Sequence, residues 1–461
     1  MANPGNPGNG SAGSGSSRPQ GLSLTAKDIG ARRAGTTGRY LVLLPERLAR
    51  DVARPEGLRV AMSSDFPAAP PSPGDLEGAD ALVLEEIGVS IVVADAGKAQ
   101  RFATAAAQAM GGVAALLEPE RFVHAIQLGA GEGAGMPAPD YLAGYRAAVV
   151  NLVDDLLGGP AADGMAALRR GPGAEARVRE DEVTWGLHAV GAVQTRYTGT
   201  GVKLAVLDTG FATGHPDYRG RTVVTQSFVP DEAVEDLAGH GTHCIGTAAG
   251  PVHPSRPPRY GIASGAEIHA GKVLSNAGSG VDGWILAGID WAVRSGCAVV
   301  SMSLGAPAEA GEPFSRVYEQ VARRALRRGT LIVAAAGNES HRPARIAAVG
   351  HPANCPSIMA VAALDPMLAV AWFSCGGPGD RGGQIDIASP GVEVYSSYPP
   401  DDYRRMDGTS MATPHVAGIA CLYAEATGAR GDALWSDLSR NARRLSIPSS
   451  DVGCGIAQAP A

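Results

Sequence analysis

The chain has 461 residues, 45% of them hydrophobic and 18% charged, with a formal net charge of −7, 62 glycines and 33 prolines. That length corresponds to two or three domains at roughly 150 residues each, and the composition excludes whole-chain disorder and a collagen-like repeat. The acidic balance excludes a phosphate-neutralising surface, and no apolar run reaches the ~20 residues that span a bilayer, so neither nucleic acid nor a membrane is an expected partner.

Gly, Ser, Pro and Asn dominate residues 1–20, which cannot bury enough apolar surface to offset their ordering entropy. A disordered tail is therefore expected over 1–38. The start lacks the basic region and apolar core of a secretory signal, so a cytoplasmic location is expected, with non-standard export left open. Six scattered cysteines, none in Cys-x-x-Cys spacing, read as free thiols.

Tyr40–Leu44 predicts a strand stopped by Pro45, Arg47–Arg54 a short helix, and Pro67–Pro73 a loop. Two β-rich runs flank Gly88 within Ala81–Ala94, Gly97–Met110 predicts a helix closed by Gly111-Gly112, and Arg121–Leu128 predicts a further strand. This order gives a small α+β domain over 39–128. The glycine-rich run 129–135 reads as linker, not a phosphate loop, because no Lys follows and Pro137 and Pro139 stand where a helix would start. Leu142, Tyr145, Val149, Leu152 and Leu156 form a helical stripe, so the linker 129–184 is expected to contain one helix. Beyond the polar segment Gly171–Asp181, apolar strands such as Lys203–Leu207, Ile268–Val273, Ala298–Met302 and Leu331–Ala335 alternate with helices. Residues 185–461 thus predict an α/β domain with a mainly parallel, doubly wound sheet and helices on both faces.

Three motifs in that domain carry chemistry. Asp208-Thr209-Gly210 follows the first strand directly, at the carboxyl edge where α/β sheets build their sites. Aspartic proteases need two such loops, and only one occurs. His240-Gly241-Thr242-His243 places its histidines three apart with no Glu between, unlike zinc helices with ligands at i and i+4. A base presented at a helix start suits His240 better. In Gly408-Thr409-Ser410-Met411-Ala412-Thr413-Pro414-His415, Pro414 falls in a first helical turn, which puts Ser410 at the helix N-terminus. Alone, Ser410 reads equally well as a cap.

An aspartate, a histidine 32 residues on and a helix-start serine 170 residues beyond resemble the subtilisin-like serine proteases, over about Trp185–Pro460. The resemblance implies Ser410 as nucleophile, His240 as base and Asp208 as its orienting carboxylate. It implies Asn338, in Ala334-Ala335-Ala336-Gly337-Asn338, as an oxyanion donor beside the Ser410 backbone N–H. Gly278-Ser279-Gly280 and Ser303-Leu304-Gly305 match the two edges between which a peptide substrate adds a strand. Gly350, with Glu339 at the rim, matches the base of the primary pocket and implies a preference for a large apolar residue before the cut. Pro352 matches a cis proline. Cys244 matches a thiol near the catalytic histidine in one branch of the family.

The chemistry requires no cofactor. Asp217, in His215-Pro216-Asp217, matches a calcium ligand of the family, but Pro251–Tyr260 stands where the other ligands belong and lacks carboxylates and amides. The strong calcium site is expected to be absent; weaker ones stay open. Residues 39–128 resemble the family's inhibitory propeptide, which implies a polypeptide substrate and an intramolecular inhibitor as partners. An accessory binding module is the alternative for this domain, and a silent protease-like scaffold the alternative for the whole chain. Nothing between 128 and 184 marks a cleavage point.

Overall fold

The computed structural model describes residues 24–29, 35–44, 59–66, 76, 78–93, 96–109, 115–126, 180–377 and 382–461. The expected helix at Arg47–Arg54, the glycine run 129–135 and the linker helix over Tyr141–Leu157 lie outside them.

The large domain is built on a seven-stranded sheet. Its strands are β6 (Lys203–Asp208), β7 (Val223–Ser227), β8 (Glu267–Lys272), β10 (Val299–Met302), β12 (Leu331–Ala335), β13 (Met359–Leu364) and β14 (Ile387–Pro390). They lie in the order β14-β13-β12-β10-β6-β8-β7, and every pairing is parallel. β10, β12 and β13 are buried at every position, as near-continuous apolar runs require when helices cover both faces. The strand order reverses at β6, so its carboxyl end, which carries Asp208, opens at a topological switch point. Two helices, His240–Ala249 and Thr409–Thr427, pack against each other above this edge. The α/β expectation with a mainly parallel sheet holds.

The small domain contributes β1 (Thr36–Leu43), β2 (Val60–Met62), β3 (Ala81–Leu84), β4 (Val89–Val92) and β5 (Leu117–Ala125), with helix Ala96–Ala109 packed on β1 and β5. Its order is β5-β1-β4-β3-β2, antiparallel except for β2 with β3. β5 does not end this sheet. Its second half runs between two short strands of the large domain, β9 (Ser279–Val281) and β11 (Leu304–Gly305), antiparallel to both.

The structure moves three expected boundaries. Within the span 1–38 expected as a disordered tail, Ala26–Ile29 forms a helical turn, Leu24 and Ile29 are buried, and β1 begins at Thr36. Isolated apolar residues in a polar stretch leave no periodic trace, although tertiary packing uses them. The last strand ends at Ala125 and not at Leu128, because Ile126 leaves the ladder for the site described below. The large domain starts before Trp185: Glu180 accepts from Trp185 N at 2.9 Å and pairs with Arg405 at 2.6 Å.

Candidate functional site

Asp208 ends β6 and His240 opens its helix, and the two meet through His240 Nδ1 and Asp208 Oδ1 at 2.7 Å, both side chains 1% exposed. Gly239, at φ +88°, lets the chain turn directly into that helix. Burial opposes a charge on His240. Burial is the largest single influence, but the charge and hydrogen bond of Asp208 together with Cys244 outweigh it and hold the imidazole pKa well above its ordinary value. His240 Nε2 is buried without a hydrogen-bond partner among the described residues.

Ser410 is the second residue of its helix, so its N–H has no carbonyl one turn back to donate to. Gly408 precedes it where a Cβ would come within 3.1 Å of both Asn338 Nδ2 and the Ile126 carbonyl oxygen. Asn338 is oriented by Thr409, whose N–H and hydroxyl donate to Oδ1 at 3.0 and 2.9 Å. Its amide nitrogen is thereby turned to the same oxygen, Ile126 O, at 3.4 Å. Ser410 Oγ also donates to Ile126 O, and to Ser303 O at 3.1 Å.

The two expected binding edges grip the end of β5. Val123 pairs with Gly280 and His124 with Ser279; Ala125 N donates to Gly278 O at 2.9 Å. On the other side Ala125 pairs with Leu304, His124 with Gly305, and Ile126 N donates to Ser303 O at 3.2 Å. Ser410, Asn338 and residues 278–280 and 303–305 thus converge on one stretch of main chain, which belongs to this same molecule, and the Asp208–His240 pair is linked to Ser410 through Cys244.

Two residues matched to the primary pocket have close neighbours. A Cβ at Gly350 would meet the Ala306 carbonyl oxygen at 2.7 Å, so glycine there admits a neighbouring backbone. Glu339 is partly exposed, and its carboxylate accepts from Cys375 Sγ at 3.1 Å. The His351–Pro352 bond is cis, as the match implied. His243 faces away from the site, its Nε2 lying 3.0 Å from Val394 O and 3.1 Å from Arg404 O. Burial pushes its pKa down to about 3, so it is neutral and serves as a donor to that hairpin.

Cys244 lies one helical turn from His240, its Sγ 3.9 Å from His240 Nδ1 and 3.6 Å from Ser410 O. Burial pushes this thiol up. Ligand-type atoms of Asp208, His240 and Cys244 lie within 4.8 Å of one another, the one such cluster among the described residues. These atoms already pair with each other.

Sequence reading missed Asp236 and Lys272. Buried Asp236 accepts from Thr209 Oγ1 (2.8 Å), Ala238 N (3.1 Å), Gly239 N (2.8 Å), and both Thr242 N and Oγ1 (2.8 Å each). It thereby ties the residue after Asp208 to the residues flanking His240. Lys272 Nζ donates to Thr209 O at 2.5 Å and Asn276 Oδ1 at 2.9 Å, and pairs with Glu232 at 3.2 Å. An aspartate four residues before the first motif histidine was the available signal.

The sequence pattern of the Subtilase family matches residues 199–446, more than half of the chain. M-protease of Shouchella clausii (strain KSM-K16) is 42% identical over 253 residues, 54% of this chain and 61% of that protein. Subtilisin Savinase of Lederbergia lenta is 42% identical over 244 residues, 52% of this chain and 83% of the relative. Subtilisin E of Bacillus subtilis (strain 168) is 40% identical over 228 residues, 49% and 56% respectively. The chain spans about three-fifths of the first curated relatives' length. Among solved structures, Sphericase superposes with a TM-score of 0.52 at 31% identity, covering 60% of this chain and 98% of that one. By sequence pattern, by relatives and by fold, the chain belongs to the subtilase family.

Proposed function

We propose that the chain is a serine endopeptidase held in check by its own N-terminal domain. The observation that carries this reading is the position of the Ile126 carbonyl oxygen, which receives both the Ser410 hydroxyl and the Asn338 side-chain amide. A peptide bond bound for acyl transfer presents its carbonyl to just such a pair, nucleophile and oxyanion donor.

In the proposed reaction Ser410 Oγ bonds to the carbonyl carbon as its proton passes to His240 Nε2. Asp208 steadies the resulting imidazolium through Nδ1. The oxygen, now negative, is held by Asn338 Nδ2 and the Ser410 N–H; losing one such donor costs about 10² to 10³ in turnover. Collapse breaks the C–N bond, His240 returns the proton to the leaving amine, and water then repeats the sequence on the acyl-enzyme. In the described pose the Ser410 hydroxyl faces carbonyl oxygens, so it must turn to His240 Nε2 before attack.

The bond proposed for cleavage is the one after Ile126, just upstream of residues 128–184. Ile126, the residue before the proposed cut, is itself apolar, in keeping with the expected preference for a large apolar residue there. Mass spectrometry of the expressed chain beside Ser410→Ala tests the proposal. Expected are two fragments divided after Ile126 in the wild type and an intact variant. An uncut wild type that also fails to take a fluorophosphonate label, even after removal of the N-terminal domain, would favour the silent scaffold.

A further inference from the structure

The family resemblance assigns Asp217 to calcium, and the surroundings of Asp217 do not fit that ion. Calcium takes six to eight oxygen acceptors, usually with several carboxylates among them. Around Asp217 the structure places donors. Oδ1 accepts from Ser255 N at 2.6 Å and Tyr403 OH at 2.9 Å, and Oδ2 accepts from Tyr260 OH at 2.5 Å. Segment 251–260 contains no carboxylate or side-chain amide, and it brings two cations, Arg256 and Arg259. A calcium ion at Asp217 would have to displace three hydrogen bonds and would find no second carboxylate among the residues that bond to it.

What surrounds the carboxylate is a packed set of rings. Tyr395 and Tyr403 stack at 5.5 Å with 6° between their planes, and Tyr260 meets both edge-on at about 6 Å. His215 lies edge-on to Tyr403 at 5.3 Å, its Nδ1 accepting from Asp217 N and its Nε2 donating to Asp402 O at 3.1 Å. The Arg256 guanidinium covers the Tyr403 ring at 5.1 Å.

We infer that this tyrosine–carboxylate knot does the structural work that the family resemblance assigns to calcium, and that it does so on behalf of the catalytic helix. The knot fixes the 251–260 segment and the hairpin of β15 (Val394–Tyr398) and β16 (Asp402–Met406) in one unit. That hairpin in turn holds the helix of His240. Ser396 Oγ donates to His243 O at 2.8 Å, Ser397 Oγ to Thr242 O at 3.2 Å, and His243 Nε2 reaches Val394 O and Arg404 O.

The test is thermal unfolding of the full-length Ser410→Ala chain, which cannot digest itself, with EGTA and with excess calcium, beside added Tyr260→Phe or Asp217→Asn. Each removes a donor or weakens the acceptor of the knot. The inference expects equal midpoints in EGTA and calcium, and a fall of about 2 to 4 °C for Tyr260→Phe that calcium does not restore. A calcium-dependent rise that persists undiminished in Asp217→Asn also supports it, since the ion then sits elsewhere. A rise lost in Asp217→Asn overturns it. Should Asp217→Asn not fold, Tyr260→Phe decides alone, because recovery of its midpoint by calcium, or no fall at all, overturns the inference.

Discussion

Replacing Asp236 with asparagine isolates the residue that aligns Asp208 with His240 without touching either. Its two oxygens accept five hydrogen bonds, three on Oδ1 and two on Oδ2. An asparagine keeps the shape and turns one oxygen into a donor. The less damaging orientation places the new amide against Thr242, whose hydroxyl can accept but whose N–H cannot. One buried N–H is then left facing another donor, at about 1 to 3 kcal/mol, and the remaining bonds lose their charge assistance. A total of about 2 to 4 kcal/mol in stability follows. Because Thr209 and Gly239 relax together, the larger effect falls on chemistry: a displacement of the His240–Asp208 pair by a fraction of an ångström lowers kcat by about ten- to a hundredfold with KM nearly unchanged. Denaturant unfolding in the Ser410→Ala background and steady-state kinetics of the otherwise wild-type variant measure the two effects separately. Wild-type kcat in a variant destabilised by the expected amount would refute the positioning argument and leave Asp236 a purely structural residue.

Three further outcomes are expected. Because His240 must be neutral to accept a proton and its pKa is raised, kcat/KM falls on acidification with a midpoint above the usual histidine value of 6.5; Asp208→Asn lowers that midpoint and costs about 10⁴ in kcat, and an unmoved midpoint contradicts the assignment. Mercuric ion abolishes activity through Cys244, and Cys244→Ala resists it; full activity with Cys244 shown to be modified would overturn this. Asp290, buried under the small domain, accepts from Glu86 N at 2.7 Å and Ile87 N at 3.2 Å, and burial pushes it up to about 6 against Arg294 and Ser63. Ser63 Oγ, Glu86 N and Ile87 N of the small domain all donate to this carboxylate, so Asp290→Asn is expected to weaken the grip of the small domain by about tenfold. Activity should emerge from the cleaved complex faster in Asp290→Asn than in the wild type; an unchanged rate would show that these bonds do not hold the domain.

The elements legible in the sequence are those whose signal is local. β10 and β12 announce themselves as short apolar runs, and Asp208, His240, Ser410 and Asn338 each sit within two residues of a glycine in a compact motif. Asp236 was not legible because an isolated aspartate looks like any surface carboxylate: four of its five bonds stay within six residues, and only the fifth, to Thr209 27 residues away, ties it to the Asp208 loop. β2 escaped for a related reason, being three residues long and held only by pairing with β3 some twenty residues on. Ile126 is the sharpest case. Its residue type and neighbours suggest one more strand position, and only the arrival of β5 between β9 and β11 turns its carbonyl toward Ser410.

That arrival is itself fixed at a distance from the cleft. Glu118 accepts from Ser315 Oγ (2.5 Å), Arg316 N (2.7 Å) and Val317 N (3.3 Å), at the start of helix Arg316–Arg327. Glu120 accepts from Gly283 N at 2.9 Å, at the start of helix Asp282–Arg294, and is itself paired with buried Arg39 at 2.5 Å. Both carboxylates therefore sit on the positive ends of helices, where backbone N–H groups lack partners. The two-residue period of a strand puts Glu118, Glu120, Phe122, His124 and Ile126 on one face. A slip of one residue would turn both carboxylates off their helices and carry the Ile126 carbonyl past Ser410. The register in the cleft is thus set by two helix termini outside it. Every one of these contacts lies on the N-terminal side of the bond after Ile126, so the proposed cut would remove none of them. A fragment ending at Ile126 would keep its hold, and the opening of the site would then be governed by release of that fragment and not by the chemical step.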